Sequence, residues 1–247
     1  MNPFDLPPIA AALDAAYSLL TGLAGALASV APSWGAVLAV VLTTLAVRTV
    51  LIPIGVTQVR AQLNRARLAP ALAALQRRYR KTPERLQRET LALYKREGVS
   101  PFAGMVPALA QIPLVSLVYA LFTLPTVGGH ANELLAQSML GVALQDSWMT
   151  VLASAGAWPS ALVGLGILLM LAAVAWFSRR QILRTSPPAT EPRLATVAKF
   201  GASLSFITVV IGAIVPLAAA VYLAVSTAWT LGERAVIRRV LLAPQVA

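Results

Sequence analysis

Long apolar runs alternate with polar segments along this chain, and the runs have the length of membrane-spanning helices. Stretches with at most one charged residue cover residues 35–59, 102–124, 158–177 and 200–231. About 20 apolar residues in a helix are enough to cross the hydrocarbon core of a bilayer. The last stretch has 32 residues with Pro216 near its centre, which predicts a tight hairpin of two short helices. The pattern therefore predicts an all-α membrane protein with five transmembrane helices.

The N-terminal segment, residues 1–33, has a different pattern. Its apolar residues recur at helical spacing, at Ile9, Leu13, Ala16, Leu20, Leu23 and Leu27. Such spacing is typical of an amphipathic helix that lies in the membrane interface. A sixth span over residues 15–31 is the alternative, and its 17 uncharged residues are at the lower limit for crossing. We expect an interfacial helix ahead of a five-span core, residues 34–247.

A polar segment, residues 60–98, separates the first two spans. Leucine and tyrosine residues recur at helical spacing on both sides of a turn in which Thr82 is the expected N-cap and Pro83 the first helical residue. Gly98 is expected to end the second helix. The apolar stripes are narrow, which predicts a coiled-coil helical hairpin with a basic outer face. Six basic residues surround its turn: Arg77, Arg78, Arg80, Lys81, Arg85 and Arg88.

The composition excludes a soluble domain. Hydrophobic residues make up 58% of the chain and charged residues 12%, with a mean hydropathy of +0.74. The net charge of +11 would indicate nucleic-acid binding if it covered a soluble surface. Instead the 20 Lys and Arg residues fall in residues 60–96, 179–199 and 234–239, with Arg48 as the one exception. We therefore expect no recognition of nucleic-acid sequence.

The distribution of these charges predicts which segments face the cytoplasm. Residues 1–34 and the loop at 126–157 contain no Lys or Arg. Because basic loops stay on the cytoplasmic side, these two segments are expected outside. The hairpin, the loop at 178–199 and the tail at 233–247 are expected inside. The N-terminus would then lie outside and the C-terminus in the cytoplasm. For the basic face of the hairpin, adhesion to anionic lipids and docking of an acidic or RNA-rich partner both stay open.

Arg48 is the only charged residue among the 25 from Gly35 to Val59. A charge near the centre of a span costs roughly 2.5–3.5 kcal/mol on insertion scales, so it usually faces protein or water and serves a function. In the alternative interpretation, Pro53 ends the helix and Arg48 reaches the nearby cytoplasmic interface with its side chain. The sequence pattern alone leaves both interpretations open.

A few uncharged polar residues also lie in the predicted spans. Gln111 shares a helix face with Gly104 and Val118, which fits an interhelical hydrogen bond or a substrate contact. Ser205 in the fourth span and Tyr222 and Ser226 in the fifth lie on faces that are most often packing surfaces. These residues add polarity without adding charge.

The residues argue against catalysis. The chain has no cysteine and a single histidine, His130, which we expect to be a solvated loop residue. No Asp or Glu lies in a predicted span, which disfavours paired-carboxylate chemistry and proton-coupled transport. Neither a phosphate-binding glycine loop nor an HExxH motif occurs. We expect no enzyme, no cofactor and no metal, but passive binding of a polypeptide or lipid.

Three segments resemble the YidC-type membrane protein insertase family. They are LAVRTVLIPIGVTQVRAQL, then ETLALYKREGVSPFAGMVPALAQIPLVSLVYALF, and PLAAAVYLAVST. The resemblance covers roughly residues 35–240. It implies five transmembrane helices around a hydrophilic groove that is open to the cytoplasm and lipid and closed on the outer side. It also implies an insertase that guides nascent membrane proteins from the cytoplasm into the bilayer without nucleotide hydrolysis.

The resemblance further implies which residues form the groove. Arg48 matches the arginine of the family's groove, and Thr44, one turn earlier on the same helix face, also matches. Tyr222 matches the aromatic region of the fifth span, although the next position, often aromatic in the family, is Leu223. Together with the polar residues of the other spans, the expected groove residues are Arg48, Thr44, Gln111, Ser205, Tyr222 and Ser226.

The implied setting is a bacterial plasma membrane, with nascent membrane proteins and the lipid bilayer as partners. A ribosome and a Sec translocon are further candidate partners, and the protein is expected to be a monomer. The short tail does not support ribosome docking through the C-terminus. Two other functions stay open: a membrane transporter or channel, and a membrane protein assembly chaperone that does not insert its clients.

Overall fold

The computed structural model describes residues 6–100, 113, 116–154, 158–185 and 200–242. Within these residues the fold is helical, apart from two small β-hairpins in the loop that we predicted to lie outside. The helices include α1 (Pro7–Ala28), α2 (Gly35–Val50), α3 (Ile52–Arg78), α4 (Pro83–Arg96), α5 (Trp148–Ala153), α6 (Trp158–Thr185), α7 (Ile207–Ile214) and α8 (Leu217–Leu242). The predicted all-α class is confirmed.

Among the residues that the structure describes, two helices are long and apolar enough to cross a membrane. They are α1 and residues Trp158–Arg184 of α6; the bent pair α2–α3 counts as a third if it forms one span. The apolar helix over Phe200–Ile214 is shorter. Most of the predicted second span, residues 102–124, lies outside the described residues. The count of five spans therefore stays a prediction.

The first predicted span is bent. α2 ends at Val50 and α3 begins at Ile52, with an angle of 60° between them. Pro53 lies in the first turn of α3, where its missing N–H is not needed for a helical hydrogen bond. The carbonyl of Leu51 accepts from the amide of Gly55 at 3.1 Å. α3 then continues to Arg78. The first arm of the basic hairpin therefore belongs to the helix that follows α2, which carries Arg48, directly after the bend.

Helix α1 packs along α2. A Cβ atom added to Gly35 would lie 2.8 Å from the carbonyl oxygen of Ala24, so the two backbones are in close contact there. Leu13, Leu20 and Ala24 are the buried residues of α1. Its 22 residues meet the length of a span as well as that of an interfacial helix. The two interpretations of the N-terminal segment therefore both remain.

The basic hairpin has the predicted turn. Thr82 is at the N-cap of α4 and Pro83 begins the helix, although the Thr82 side chain makes no capping hydrogen bond. Gly98 ends the hairpin with a φ of 63°. Its amide donates to Lys95 at 3.2 Å, and the amide of Val99 donates to Tyr94 at 3.0 Å, which is a Schellman motif.

The two arms of the hairpin are joined near its open end. Arg67 of α3 forms an ion pair with Glu97 at 3.2 Å. At the turn, the guanidinium groups of Arg78 and Arg85 lie 5.4 and 5.2 Å from the centre of the Tyr79 ring. Leu93 is the buried residue of α4. Most of α4 is therefore available for contact with a partner or with lipid.

Residues 126–154, the described part of the predicted outer loop, contain regular secondary structure. β1 (Thr126–Val127) pairs with β2 (His130–Ala131), and β3 (Ser138–Met139) pairs with β4 (Val142–Ala143). His130 is exposed, as expected for a solvated loop residue.

Asn132 anchors this segment to the helical core. The residue is 6% exposed, and its amide nitrogen donates to the carbonyls of Leu121 and Leu124 at 2.7 and 2.8 Å. Its side-chain oxygen accepts from the amide of Leu134 at 3.1 Å. Three backbone groups are thus satisfied by one side chain, because no regular element is there to pair them.

The same segment also caps the break at Pro216. The helix over Phe200–Ile214 stops before this proline, which confirms the predicted break in the run at 200–231. The amide of Leu217 donates to Asp146 at 2.8 Å, and the amide of Ala218 donates to Leu144 at 3.1 Å. The first amides of α8, which have no partner inside the helix, are therefore satisfied by the loop.

Candidate functional site

A cavity of about 490 Å³ lies between the helices at the end of α2 where the chain bends. Its walls come from α2, α3, α6, the helical segment at 200–214 and α8. Much of the lining is amide, hydroxyl or guanidinium: Arg48, Gln58, Gln62, Arg65, Ser178, Gln181, Ser205, Thr208, Ser226, Thr227, Thr230 and Arg234. Ala61, Val174, Ala175, Ile182, Leu223 and Leu231 complete it. The cavity lining therefore combines polar and charged side chains with an apolar surface.

Arg48 forms part of the inner wall of this cavity. Its Nε donates to the hydroxyl oxygen of Ser226 at 2.9 Å, and its Nη2 contacts the same oxygen. Ser226 is 2% exposed, so the hydroxyl is a buried anchor on α8. This contact with α8 favours the interpretation in which Arg48 faces protein and a polar space over the one in which it extends to the interface.

The cavity has an excess of positive charge. Arg48, Arg65 and Arg234 all line it, and none of the described lining residues is acidic. Gln58, Gln62 and Arg65 recur at spacings of four and three residues, which places them on one face of α3. None of the three was among the predicted groove residues: Gln62 and Arg65 lie in the segment predicted as the hairpin, and Gln58 lies at the end of the predicted first span.

One carboxylate lies beside two of the arginines that line the cavity. Glu233 lies beyond the predicted fifth span, where α8 continues into the segment predicted as the tail. A Cβ atom added to Gly55 would overlap its carboxylate, so the side chain fills the space beside this glycine. Burial raises the pKa of the Glu233 carboxyl, while Trp229, Arg48 and Arg234 favour its charged form. In the sequence, Glu233 was predicted only as the first residue of the tail at 233–247.

The structure separates the predicted groove residues. Arg48, Ser205 and Ser226 line one cavity, but the two others that are described do not. Thr44 is 5% exposed and donates to the carbonyl of Val40 at 2.6 Å. Tyr222 is 6% exposed and belongs to the apolar core. Gln111 lies outside the described residues, and its position in the groove stays a prediction.

The six basic residues around the hairpin turn are all exposed: Arg77, Arg78, Arg80, Lys81, Arg85 and Arg88. They lie on a different part of the molecule from the cavity, since none of them lines it. Within the described residues, no group of three or more His, Cys, Asp or Glu side chains is placed to hold a metal ion.

Comparison with known proteins gives a consistent result. The family model of the 60Kd inner membrane protein matches residues 26–243. The chain is 33% identical over 118 residues to a membrane protein insertase YidC of Clostridium perfringens, which covers 48% of this chain and 50% of that protein. It is 35% identical over 125 residues to the inner membrane protein ALBINO3 of the Arabidopsis thaliana chloroplast, covering 45% and 26%.

A third relative is the membrane protein insertase MisCA of Bacillus subtilis, with 31% identity over 99 residues and coverage of 38% of each chain. The matched region thus spans half or less of the length of these relatives. The family match itself includes α2 to α8 and every residue of the cavity. The chain therefore belongs to the family of the 60Kd inner membrane protein, the YidC-type membrane protein insertases.

Proposed function

We propose that this protein is a membrane protein insertase whose cavity serves as the hydrophilic groove that receives part of an incoming membrane protein. The observation that carries the proposal is the cavity itself, which is lined by three arginines, amides and hydroxyls and bounded by apolar helices. Its relatives named as membrane protein insertases support the same function. The substrates are nascent membrane proteins that arrive from the cytoplasm.

The groove lowers the cost of moving a polar segment into the bilayer. A charged or polar side chain in hydrocarbon loses its hydrogen bonds to water, which costs several kcal/mol. In the cavity, the guanidinium groups and hydroxyls replace part of that hydration. The apolar part of the substrate then moves into lipid, and burial of about 20 apolar residues drives the step. Nucleotide hydrolysis is not needed in this mechanism.

The proposed setting is a bacterial plasma membrane with the N-terminus outside. Five spans, residues 35–59, 102–124, 158–177 and the two halves of 200–231, form the core around the groove. The cavity opens toward the cytoplasm and lipid, and the segment at 126–157 closes the outer side. The protein acts as a monomer in this proposal, and a ribosome and a Sec translocon are its candidate partners.

The test is reconstitution of the purified protein into liposomes with a single-span substrate that is translated in vitro. An insertase protects the membrane-crossing part of the substrate from added protease. Liposomes that conduct ions or solutes but do not insert the substrate would show a transporter or channel instead. An assembly chaperone would bind the substrate and leave it accessible to protease.

Arg48 is expected to act through its positive charge. Arg48→Ala should reduce insertion of a substrate with an acidic outer segment by roughly tenfold, because about 1.4 kcal/mol of attraction is lost from a partly buried site. Insertion of the same substrate with a neutral segment should fall less. Arg184→Ala, which removes one exposed charge at the end of α6, is the matched control. Equal losses for both segments would refute the attraction.

We propose that the basic hairpin recruits substrates or the ribosome. Replacing its six basic residues around the turn with glutamine keeps the helices and removes six charges. The expected result is weaker capture of substrate by the reconstituted protein, even in vesicles that contain only zwitterionic lipids. A loss that occurs only with anionic lipids would instead assign the hairpin to adhesion at the membrane surface.

A further inference from the structure

The Glu233 carboxylate lies close to the arginines of the cavity without being fixed to any of them. Glu233 follows Ser226 by seven residues, about two helical turns, so both lie on the same side of α8. The next residue, Arg234, lines the cavity together with Arg48. Within the described residues, the ion pairs within 4 Å are Arg67–Glu97 and Arg96–Glu97, so Glu233 forms none.

The space for this carboxylate exists because residue 55 is glycine. A Cβ atom at Gly55 would lie 2.7 Å from the carboxylate carbon of Glu233. One carboxylate oxygen of Glu233 and the indole nitrogen of Trp229 are buried, and neither has a hydrogen-bond partner within the described residues. The carboxylate interacts electrostatically with Arg48 and Arg234. One of its oxygens is therefore buried beside Gly55, and the carboxylate is attracted to Arg48 and Arg234 without an ion pair to either within 4 Å.

We propose that Glu233 is an internal counter-ion of the cavity that competes with acidic residues of the entering substrate. Before substrate enters, its charge offsets part of the field of Arg48 and Arg234. A substrate carboxylate gains less from entering a cavity that is already partly neutralised. Glu233 thus limits how strongly the cavity prefers acidic over neutral segments, and it is a specificity-determining residue. The inference rests on the proposed insertase function.

The insertion test uses two single-span substrates that differ only in their outer segment, one with two Asp residues and one with two Asn residues. Glu233→Gln keeps the size of the side chain and removes its charge. The ratio of acidic to neutral insertion should rise by roughly two- to fivefold, as expected for removal of a nearby, partly screened charge. Glu133→Gln removes one exposed charge from the opposite end of the molecule and should leave the ratio unchanged.

A second measurement reads the field of the cavity without any substrate. The chain has no cysteine, so Thr230→Cys places a single thiol in the cavity wall. A more positive field favours the thiolate, which is the reactive form. Adding Glu233→Gln should therefore speed alkylation of this thiol at neutral pH by roughly two- to fivefold. The same addition of Glu133→Gln should have no effect.

The outcomes separate this inference from the function on which it rests. An unchanged or lower ratio of acidic to neutral insertion, in a variant that inserts the neutral substrate normally, would overturn the role of Glu233 alone. An unchanged alkylation rate would overturn it even if no substrate is inserted. Failure of the unsubstituted protein to insert either substrate would refute the insertase function instead.

Discussion

The contact between Arg48 and Ser226 joins α2 to α8 across the cavity, and its strength can be predicted. Two guanidinium N–H groups share one hydroxyl oxygen, and the hydroxyl is buried while the arginine is partly exposed. A hydrogen bond to a charged group contributes about 1.5–3 kcal/mol when buried. Because water in the cavity can replace part of the contact, we expect a coupling energy of about 1–2 kcal/mol.

A double-mutant cycle measures this coupling. Arg48→Ala, Ser226→Ala and the double variant are compared with the unsubstituted protein by equilibrium unfolding in mixed micelles. Ser226→Ala removes only one oxygen from a packed site, so it leaves almost no void. The double variant should be more stable than the sum of the single effects predicts by about 1–2 kcal/mol in the free energy of unfolding.

The same cycle with Arg60 in place of Arg48 is the control. Arg60 is exposed on α3 and does not line the cavity, so its loss should add to that of Ser226 with a coupling below about 0.5 kcal/mol. A coupling that small for Arg48 and Ser226 would refute the assigned contact. Ser226→Ala should also keep insertion of acidic substrates within about threefold, because the charge of Arg48 remains.

Two further predictions concern the stability of the scaffold. Asn132→Ala should destabilise the protein by about 3–5 kcal/mol, because it leaves two carbonyls and one amide unpaired in a buried site. Asn132→Asp should be at least as harmful, and thermal unfolding in detergent measures both; a loss below about 1 kcal/mol would contradict the assigned bonds. Gly98→Ala should cost about 1–2 kcal/mol at the base of the hairpin, because its φ is positive, and faster protease cleavage near residue 98 would detect it. Gly22→Ala, in α1 with open space around it, is the control and should be neutral or slightly stabilising.

The hydrophobic pattern predicted the all-α class correctly because long apolar runs have few alternatives in a membrane. It also identified Pro216 and Thr82–Pro83 as helix boundaries, since a proline lacks the N–H that a helix interior requires. A helix end at Pro53 was one of the two interpretations of the first span, and α2 does end at Val50, three residues before this proline. That a second helix begins at once, at 60° to the first, was not predicted, because hydropathy does not report the angle between two helices.

The candidate site was predicted only in part, because the sequence pattern marks a polar residue only where it interrupts an apolar run. Arg48 was identifiable because a charge within an apolar run is rare. Arg65, Arg234 and Glu233 were not identifiable, because each lies in a polar segment where charge is common. Only the path of α3 and α8 past the predicted membrane boundary brings these three residues to the cavity. The family resemblance did not predict these three residues either, because it implies groove residues only within the spans.

The direct continuation of α2 into α3 has a mechanical consequence. α3 has 27 residues, so its far end lies about 40 Å from the bend at Leu51. A rotation of about 5° at this joint displaces the tip of the hairpin by about 3.5 Å, given a rise of 1.5 Å per residue. The first turns of α3 carry Gln58, Gln62 and Arg65, which line the cavity. A force applied to the tip of the hairpin is therefore transmitted along α3 to the cavity wall opposite Arg48.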